Sequence, residues 1–313
     1  MFTTKKPTPP RAAYRPEGEP KIKFLWTVRR AGLRGLLGIR YMLISTLCFT
    51  IMQSLIKFLP QFSSFQHIFF RSIIGWLLSV AYLRSQNISL IGKNNKMLIF
   101  RGIVGSVSMF SFFYVLTHIP FGSAVAFKYL SPIFTAIFAV FILKEKITKA
   151  QWLCFLITFI GIILLRGFDF RISTFDLAIG LISGISGGLL YIIIRKIGDD
   201  DHHLVILHYF MAISAFFSGL VSVQDWHTPS GIEWLWLLAI GLVGFVAQNF
   251  FTLSIQQPNN DVSFLAILRY SEVIYALIIG YFFFQESYNL QSFAGIILIF
   301  VGLLLSVRMK TKS

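Results

Sequence analysis

The chain contains the stretch AFKYLSPIFTAIFAVFILKE at residues 126–145 and, 141 positions further on, the related stretch ILRYSEVIYALIIGYFFFQE at residues 267–286. Each stretch has a cation followed by tyrosine near its start, then an apolar run, then a glutamate. The polar and glycine matches carry the most weight, because an apolar composition does not favour them. The matched positions are Lys128 and Arg269, Tyr129 and Tyr270, Phe141 and Phe282, Glu145 and Glu286, Phe159 and Phe300, Gly161 and Gly302, and Leu164 and Leu305. We infer two sequence-related halves.

The composition indicates a membrane protein. The 313 residues are 56% apolar and 13% charged, and they include 34 phenylalanines. Soluble domains carry about 25% charged residues, so this chain lacks the polar surface that water requires. Its apolar runs come near the roughly 20 residues that cross a bilayer as a helix, because backbone groups in lipid must bond internally. We predict an all-α integral membrane protein with ten transmembrane helices, at 41–59, 65–83, 97–117, 122–143, 150–165, 176–194, 204–223, 232–254, 262–284 and 290–307.

The basic residues are distributed unevenly between the two sides of this arrangement. With the N-terminus inside, 21 of the 28 Lys and Arg fall in cytoplasmic segments and only Arg166 and Arg171 fall outside. By the positive-inside rule, both termini face the cytoplasm, and we expect a multi-pass protein of the cell inner membrane. The same distribution accounts for the net charge of +15 without a nucleic-acid partner.

The spans divide into two halves of five, at 41–166 and 175–307, with cytoplasmic residues 308–313 after them. Because five is odd, the second half enters the membrane from the opposite side. The halves are therefore expected to be inverted repeats, an arrangement typical of secondary transporters, which bind substrate near the bilayer midplane. Residues 1–40 form a basic, proline-containing cytoplasmic tail. Within it, residues 21–40 either form a helix lying on anionic lipids or only set the orientation.

Charged residues inside the spans are the main candidates for a functional site, because a charge near the bilayer centre costs roughly 3 kcal/mol on insertion scales. Lys128 and Arg269 lie deepest. Glu272, the only deep acid, follows Arg269 by three residues, so the two can form an ion pair on one helix face. One acid against two cations leaves a positive cavity that favours a carboxylate or phosphate. The alternative is a self-neutralised pair that only packs the helices.

Uncharged neighbours complete the deep part of the predicted site. Tyr129 and Tyr270 stand beside the two cations, where they either contact substrate or terminate a hydrogen-bond network. Gln248 or Asn249 would assist, because a carboxamide at that depth needs a partner. We therefore include all four among the candidate substrate-binding residues.

Three further cations, Lys57, Arg71 and Arg101, lie within about two turns of a span end. Their long stems can reach the interface, which favours a role in anchoring and orientation. Arg71 is nevertheless kept as a candidate substrate contact, together with His67 one turn before it.

Other patterns have simpler interpretations. Cys48 and Cys154 both lie in apolar spans, which excludes a disulfide framework and a cysteine-based zinc site. The run from Asp199 to His203 could suggest a metal, but a solvated helix start is favoured, and no metal or cofactor is predicted. Glu145 and Glu286 are expected to cap the helices that follow them.

Signals for enzymatic activity are weak. No Walker A sequence and no H-E-x-x-H occur, so neither direct use of ATP nor zinc protease chemistry is indicated. No pair of acids within the membrane suggests proteolysis either. We therefore expect a protein that is not an enzyme.

A set of short motifs runs through both halves of the chain: His67 to Arg71, Arg101-Gly102, Ile119-Pro120 before Ala124, Ser131-Pro132, Leu143-Lys144-Glu145, Arg269-Tyr270 with Glu272, and Gln285-Glu286. With these motifs the chain resembles the drug/metabolite transporter superfamily in its ten-helix EamA branch, from about Tyr41 to Arg308. The resemblance implies paired five-helix repeats, no ATP, and export or exchange of amino acids, nucleotide-type metabolites or xenobiotics. The segment from Leu268 to Glu286 is also similar to members that carry S-adenosylmethionine.

The sequence thus predicts a secondary transporter that exports or exchanges small organic metabolites, foremost amino acids or their derivatives, by alternating access. Its partners would be the metabolite and the lipid bilayer, with anionic lipids at the basic tail. One alternative is a multidrug exporter with an aromatic, weakly selective cavity. A different class is a non-transporting membrane partner or sensor that uses the basic tail as its output.

Overall fold

A computed structural model describes residues 21–56, 58–118, 127–166, 173–258, 260–284 and 290–310, and within these ranges all regular structure is helical. The α-helices are α1 (Lys21–Ile56), α2 (Ser64–Ser85), α3 (Asn95–His118), α4 (Ser131–Phe138), α5 (Lys149–Arg166), α6 (Thr174–Ile197), α7 (His203–Ser222), α8 (Glu233–Gln256), α9 (Val262–Leu268), α10 (Ser271–Phe284) and α11 (Leu290–Lys310). A π-helix, Ala139–Leu143, continues α4, and a 3-10 turn, Val223–Asp225, continues α7.

Six segments in the described part are helices long and apolar enough to cross a membrane. They belong to α1, α2, α3, α6, α7 and α8, and their ranges are Leu36–Ile56, Ser64–Ser85, Asn95–Val115, Thr174–Ile197, His203–Asp225 and Glu233–Gln256. Shorter apolar helices occupy Ser131–Leu143 and Lys149–Leu164. Large apolar side chains such as Phe216 and Leu235 point outward, as contact with lipid requires. The chain is a multi-pass membrane protein, and the regular structure of its described part is entirely helical.

The N-terminal part of α1 differs from the boundary expected at residue 40. The helix begins at Lys21 and continues without a break to Ile56, so residues 21–40 form one helix with the first apolar run. Residues 1–20, the remainder of the predicted tail, lie outside the described residues.

The acidic run before α7 does more than start that helix. The helix begins at His203, as expected. Asp201, however, is buried rather than solvated, and its carboxylate accepts hydrogen bonds from the backbone N–H groups of Lys93 (2.6 Å) and Asn94 (3.3 Å) at the start of α3. The first backbone N–H groups of a helix have no partner within the helix, and an acid at the N-terminus can accept hydrogen bonds from them. Its negative charge also interacts favourably with the positive end of the helix dipole. No cluster of three or more metal-ligating side chains occurs among the described residues.

Helix packing repeats itself between the halves. Helix α1 packs on α8, and α6 packs on α3, while α2 packs on α7 and α5 on α11. Gly161 on α5 lies against Gly295 and Ile299 of α11, and Gly302 on α11 lies against Cys154 and Thr158 of α5. Every residue in the first contact is 141 positions from its counterpart in the second. The same close approach therefore occurs twice with the halves exchanged, and glycine permits it by having no side chain.

Candidate functional site

The helices that carry the two deep cations are interrupted at those cations. Helix α9 ends at Leu268, residues 269–270 form a turn, and α10 begins at Ser271. In the first half, Phe127 and Lys128 are helical, the next two residues form a turn, and α4 then begins. The apolar pattern predicts one continuous helix for each of these runs, and the two interruptions correct that prediction. Discontinuous helices leave backbone groups free at the membrane interior, where transporters bind substrates.

Local hydrogen bonding explains the interruptions. At the break in the second half, backbone hydrogen bonds join residues three apart instead of four apart. The Tyr270 N–H donates to the Ile267 carbonyl (3.0 Å), and the Glu272 N–H donates to the Arg269 carbonyl (3.1 Å). Pro132, in the first turn of α4, has no N–H to offer the Lys128 carbonyl four residues earlier. Both breaks therefore follow from backbone chemistry at matched places in the repeat.

Both breaks face one cavity of about 350 Å³. Among the predicted site residues, it is lined by Arg71, Lys128, Tyr129, Gln248, Arg269 and Glu272. Its wall is largely aromatic, with Phe49, Phe112, Phe113, Tyr191, Phe210 and Phe251. Its volume suits a small organic molecule, and an apolar wall with a few converging polar groups is typical of such sites.

Glu272 is the centre of the charged cluster in this cavity. Its side chain is 2% exposed, and Lys128 Nζ donates to its Oε1 at 2.7 Å. Gln53 Nε2, from α1, donates to the same oxygen at 2.5 Å. Arg269 Nε lies 3.5 Å from Oε2, close enough for an ion pair, but no described donor hydrogen bonds to Oε2. The expected partner Arg269 is present, and Lys128 from the other half is the closer one.

Aromatic rings hold the two cations in place. The Arg269 guanidinium lies 5.1 Å from the ring centroid of Phe49 and 5.2 Å from that of Phe251. Lys128 Nζ lies 5.4 Å from the centroid of Phe112. Such cation–π contacts stabilise a desolvated cation without neutralising it. The charges therefore remain available to an anionic ligand.

Three predicted contacts, His67, Tyr270 and Asn249, do not line the cavity in the described part of the chain. His67 Nε2 donates to the Leu59 carbonyl at 3.1 Å. The Tyr270 hydroxyl donates to the Tyr129 carbonyl at 3.0 Å, so it terminates a network, one of the two roles expected for it. Of the two carboxamides at positions 248 and 249, Gln248 is the one at the cavity.

Arg71 and Arg101 do not anchor the protein at the membrane surface, so that interpretation is wrong for both. Arg71 is 7% exposed and Arg101 is fully buried, and both line the cavity. A helical face could have indicated this for Arg101, because Gly105, Ser108 and Phe112 follow it at spacings of four, seven and eleven residues and also line the cavity. Lys57 lies outside the described residues.

Gln53 and Tyr191 also line the cavity, together with several serine and threonine side chains, and neither is among the predicted site residues. The hydroxyl of Tyr191 is buried and lies close to Arg269. Tyrosine and glutamine in an apolar run are less conspicuous than a charge, and position alone does not show which way they face.

Glu145 caps a helix, but not the one expected. Its carboxylate accepts the backbone N–H groups of Val262 (2.8 Å) and Ser263 (3.2 Å) and the Ser263 hydroxyl (2.7 Å) at the start of α9, in the other half. The helix that follows Glu145, α5, is capped by Thr148, whose Oγ1 accepts from Gln151 N–H. Glu286 lies outside the described residues.

One hydrolase-like pattern occurs in the chain, the G-x-S-x-G sequence at residues 184–188. In hydrolases the serine stands on a strained turn between a strand and a helix. Here the segment lies inside α6, and the Ser186 hydroxyl donates to the Ile182 carbonyl. Gly184 and Gly188 instead allow α6 to pack closely on α4 and the residues before it. The pattern therefore serves packing.

An all-helical membrane protein whose broken helices bring charges to one buried cavity has the structure of a membrane transporter. The chain belongs to the EamA-like transporter family, whose model matches it twice, at residues 36–167 and 175–308. The resemblance to the EamA branch is thereby confirmed. The family moves solutes and catalyses no reaction.

Two transporters and one solved structure illustrate the relationship. The chain is 26% identical over 276 residues to the pseudopaline exporter of Pseudomonas aeruginosa, covering 87% of this chain and 96% of that one. It is 26% identical over 278 residues to an S-adenosylmethionine uptake transporter of Rickettsia prowazekii, covering 88% and 94%. A crystal structure with 20% sequence identity matches 91% of this chain and 98% of its own with a TM-score of 0.72, which shows a shared fold.

Proposed function

We propose that this protein is a secondary transporter for small organic metabolites, foremost amino acids and their derivatives, which it exports or exchanges by alternating access. The observation that carries the proposal is the cluster of Lys128, Arg269 and Glu272 at two helix breaks facing one cavity. The cations suit the carboxylate of an amino acid, and Glu272 suits its amino group. A substrate that competes for these contacts changes the relative stability of the helix arrangements, which couples binding to movement.

We propose an inverted-repeat architecture for this transporter. It has ten spans in two five-helix repeats, 41–166 and 175–307, and lies in the cell inner membrane with residues 1–40 and 308–313 in the cytoplasm. The reciprocal contacts of Gly161 and Gly302 support a two-fold relationship between the halves. The excess of Lys and Arg in the cytoplasmic segments supports the orientation. The basic tail then faces anionic lipids of the inner leaflet.

The relatives widen the choice of substrate and direction. One exports pseudopaline and another takes up S-adenosylmethionine. S-adenosylmethionine would place its carboxylate on the cations, its ammonium or sulfonium at Glu272 and its adenine against the aromatic wall. Transport should therefore be measured in both directions, as uptake and as export.

The aromatic wall also favours a second candidate function, a multidrug exporter with weak selectivity. The aromatic side chains of the wall offer apolar surface against which a planar ligand can pack. The net positive charge of the cavity opposes binding of cationic drugs, and for this reason the metabolite transporter is our first proposal.

The test is transport by the purified protein in liposomes. Counterflow and uptake would be measured with a labelled panel of amino acids, amino-acid derivatives including S-adenosylmethionine, and lipophilic drugs. We expect saturable transport of one amino-acid class, its loss in Glu272→Gln, and its retention in the control Glu233→Gln, a carboxylate outside the cavity. Transport of drugs alone would favour the multidrug exporter. No transport of any compound would overturn the proposal and favour a non-transporting partner.

A further inference from the structure

Two arginines in the cavity are not part of the cluster around Glu272. Arg71 comes from α2 and Arg101 from the neighbouring helix α3. Both line the same cavity as Glu272, and their charges are near enough to act on one another. Buried like charges repel, so their joint presence requires a compensating interaction.

The donors of these arginines are largely unused. All three guanidinium nitrogens of Arg101 are buried, and none has a hydrogen-bond acceptor among the described residues. Arg71 Nε is likewise buried without an acceptor in the described part, and its Nη1 meets only the Met109 sulfur at 3.5 Å. An arginine offers five N–H donors, and buried donors are normally satisfied. The unsatisfied groups therefore indicate a missing anionic partner.

The orientation of Arg101 fits such a partner. Its guanidinium carbon lies over the ring of Phe210, 4.0 Å from the ring centroid, which is a cation–π contact. A contact with a ring face uses none of the N–H donors of the guanidinium, and these donors can bind both oxygens of a carboxylate or phosphate. Phe210 thus holds the guanidinium of Arg101 in place and leaves its N–H donors available to a ligand.

The charges of the cavity indicate how many acidic groups a ligand carries. Lys128 and Arg269 share the single carboxylate of Glu272, whereas Arg71 and Arg101 have no acid beside them in the described part of the chain. A substrate with one carboxylate would satisfy the first pair of cations and leave the second pair unbalanced.

On the basis of the transport function proposed above, we propose that Arg71 and Arg101 form a second anion subsite of this cavity. The substrate is then an amino compound with at least two acidic groups, carboxylate or phosphate. One acidic group binds Lys128 and Arg269, the amino nitrogen binds Glu272, and the second acidic group binds between the two arginines. The aromatic wall contacts the part of the substrate that joins these groups.

The test compares matched ligands that differ by one acidic group. Dissociation constants would be measured on the full-length protein in nanodiscs, with reduced glutathione against its monoethyl ester for carboxylates. O-phospho-L-tyrosine against L-tyrosine would serve for phosphate. We expect the two-acid member of at least one pair to bind about tenfold more tightly or better, and the pair identifies the preferred acid.

The variants assign this preference to the arginines. Arg101→Gln and Arg71→Gln should each bring the ratio of the two dissociation constants close to one. Arg101→Lys, which keeps the charge and loses the planar fork, should give an intermediate ratio. The matched control Arg84→Gln, on the exposed end of α2, should keep the wild-type ratio. Using two separate glutamine variants keeps the test valid if one of them fails to fold.

Equal binding of both members in the wild type, or a ratio unaffected by both glutamine variants, would overturn the second subsite. If the liposomes transport panel compounds while neither two-acid probe binds, this inference alone fails. If no compound binds and none is transported, the proposed transport function itself fails.

Discussion

The hydroxyl of Tyr270 donates a 3.0 Å hydrogen bond to the backbone carbonyl of Tyr129, the residue that the sequence repeat matches to it. The two rings also meet, with centroids 5.8 Å apart. A residue can contact its own repeat counterpart only where the axis relating the halves passes between them. The contact therefore supports the two-fold arrangement and brings the two helix breaks together at that axis.

The variant Tyr270→Phe measures how much this hydrogen bond contributes to the stability of the protein. Because both groups are buried, loss of this hydrogen bond should cost about 0.5–1.5 kcal/mol, and we expect a lower Tm of the purified protein. Substrate affinity should stay the same, because Tyr270 does not line the cavity. Tyr82→Phe, at an exposed position, is the control. Loss of affinity at an unchanged Tm would instead show that the hydroxyl reaches the substrate.

The bonds from α9 to Glu145 join the two halves away from the cavity. In the proposed topology this contact lies at the cytoplasmic end of the protein, where we expect it to favour a state closed on that side. Ser263→Ala and Glu145→Gln should each destabilise the protein by about 0.5–2 kcal/mol, as for a lost cap, and so lower its Tm. Their effects should be less than additive in the double variant, because both changes affect the hydrogen bond between the Ser263 hydroxyl and the Glu145 carboxylate.

The same variants should also shift access to the cavity. With both native cysteines replaced by alanine, Ser108→Cys provides a thiol in the cavity wall. We expect Glu145→Gln to increase its labelling from the cytoplasmic side and to decrease labelling from outside. Asp176→Asn, which changes a half-buried acid at the start of α6 outside the cavity, is the control. Unchanged labelling from both sides would show that the contact only stabilises the fold.

The orientation in the membrane has a direct test. Thr174 is exposed at the start of α6, and a cysteine there preserves the Ser173 cap on that helix. In the cysteine-free background, Thr174→Cys should react with an impermeant reagent added to intact cells. Ser313→Cys should react only after the membrane is opened. Reaction of both positions in intact cells would contradict the proposed topology.

Charge in an apolar context is the feature that sequence reasoning used best. Lys128, Arg269 and Glu272 were detectable because a buried charge is costly and is retained for a reason. The ion pair of residues three apart followed from helix geometry. The shorter contact, from Lys128, spans 144 positions and depends on how the halves pack, which local sequence does not specify.

Arg71, Arg101 and Glu145 show what the sequence left undetermined. Distance from a span end gives the depth of a residue but not its direction, and the two arginines face inward. A carboxylate can stabilise the N-terminus of any helix that lies close to it in the fold. Which helix Glu145 caps is therefore decided by the tertiary structure. The helix breaks were partly signalled by Pro132, but no comparable residue marks the break at Arg269.

The last prediction concerns the cluster of Glu272, Lys128 and Arg269. Glu272→Gln removes the acid between two buried cations, so we expect it to lower Tm more than the loss of either cation. Removing one partner of a buried pair costs about 3–5 kcal/mol because the other charge remains unpaired. Arg269→Ala and Lys128→Ala should each abolish or strongly impair transport in liposomes. Arg269→Lys should retain part of it with weaker affinity, because it keeps the charge without the planar fork.

Double variants separate structure from function at this cluster. Lys128→Ala with Glu272→Ala, or Arg269→Ala with Glu272→Ala, removes an acid and a cation together and should recover part of the lost Tm. The Lys128 pair should recover more, because its contact of 2.7 Å is shorter than the 3.5 Å contact of Arg269. Transport should remain absent in both, since the substrate has lost its partners. Full transport by either double variant would show that these charges only pack the helices, and the substrate would then bind elsewhere.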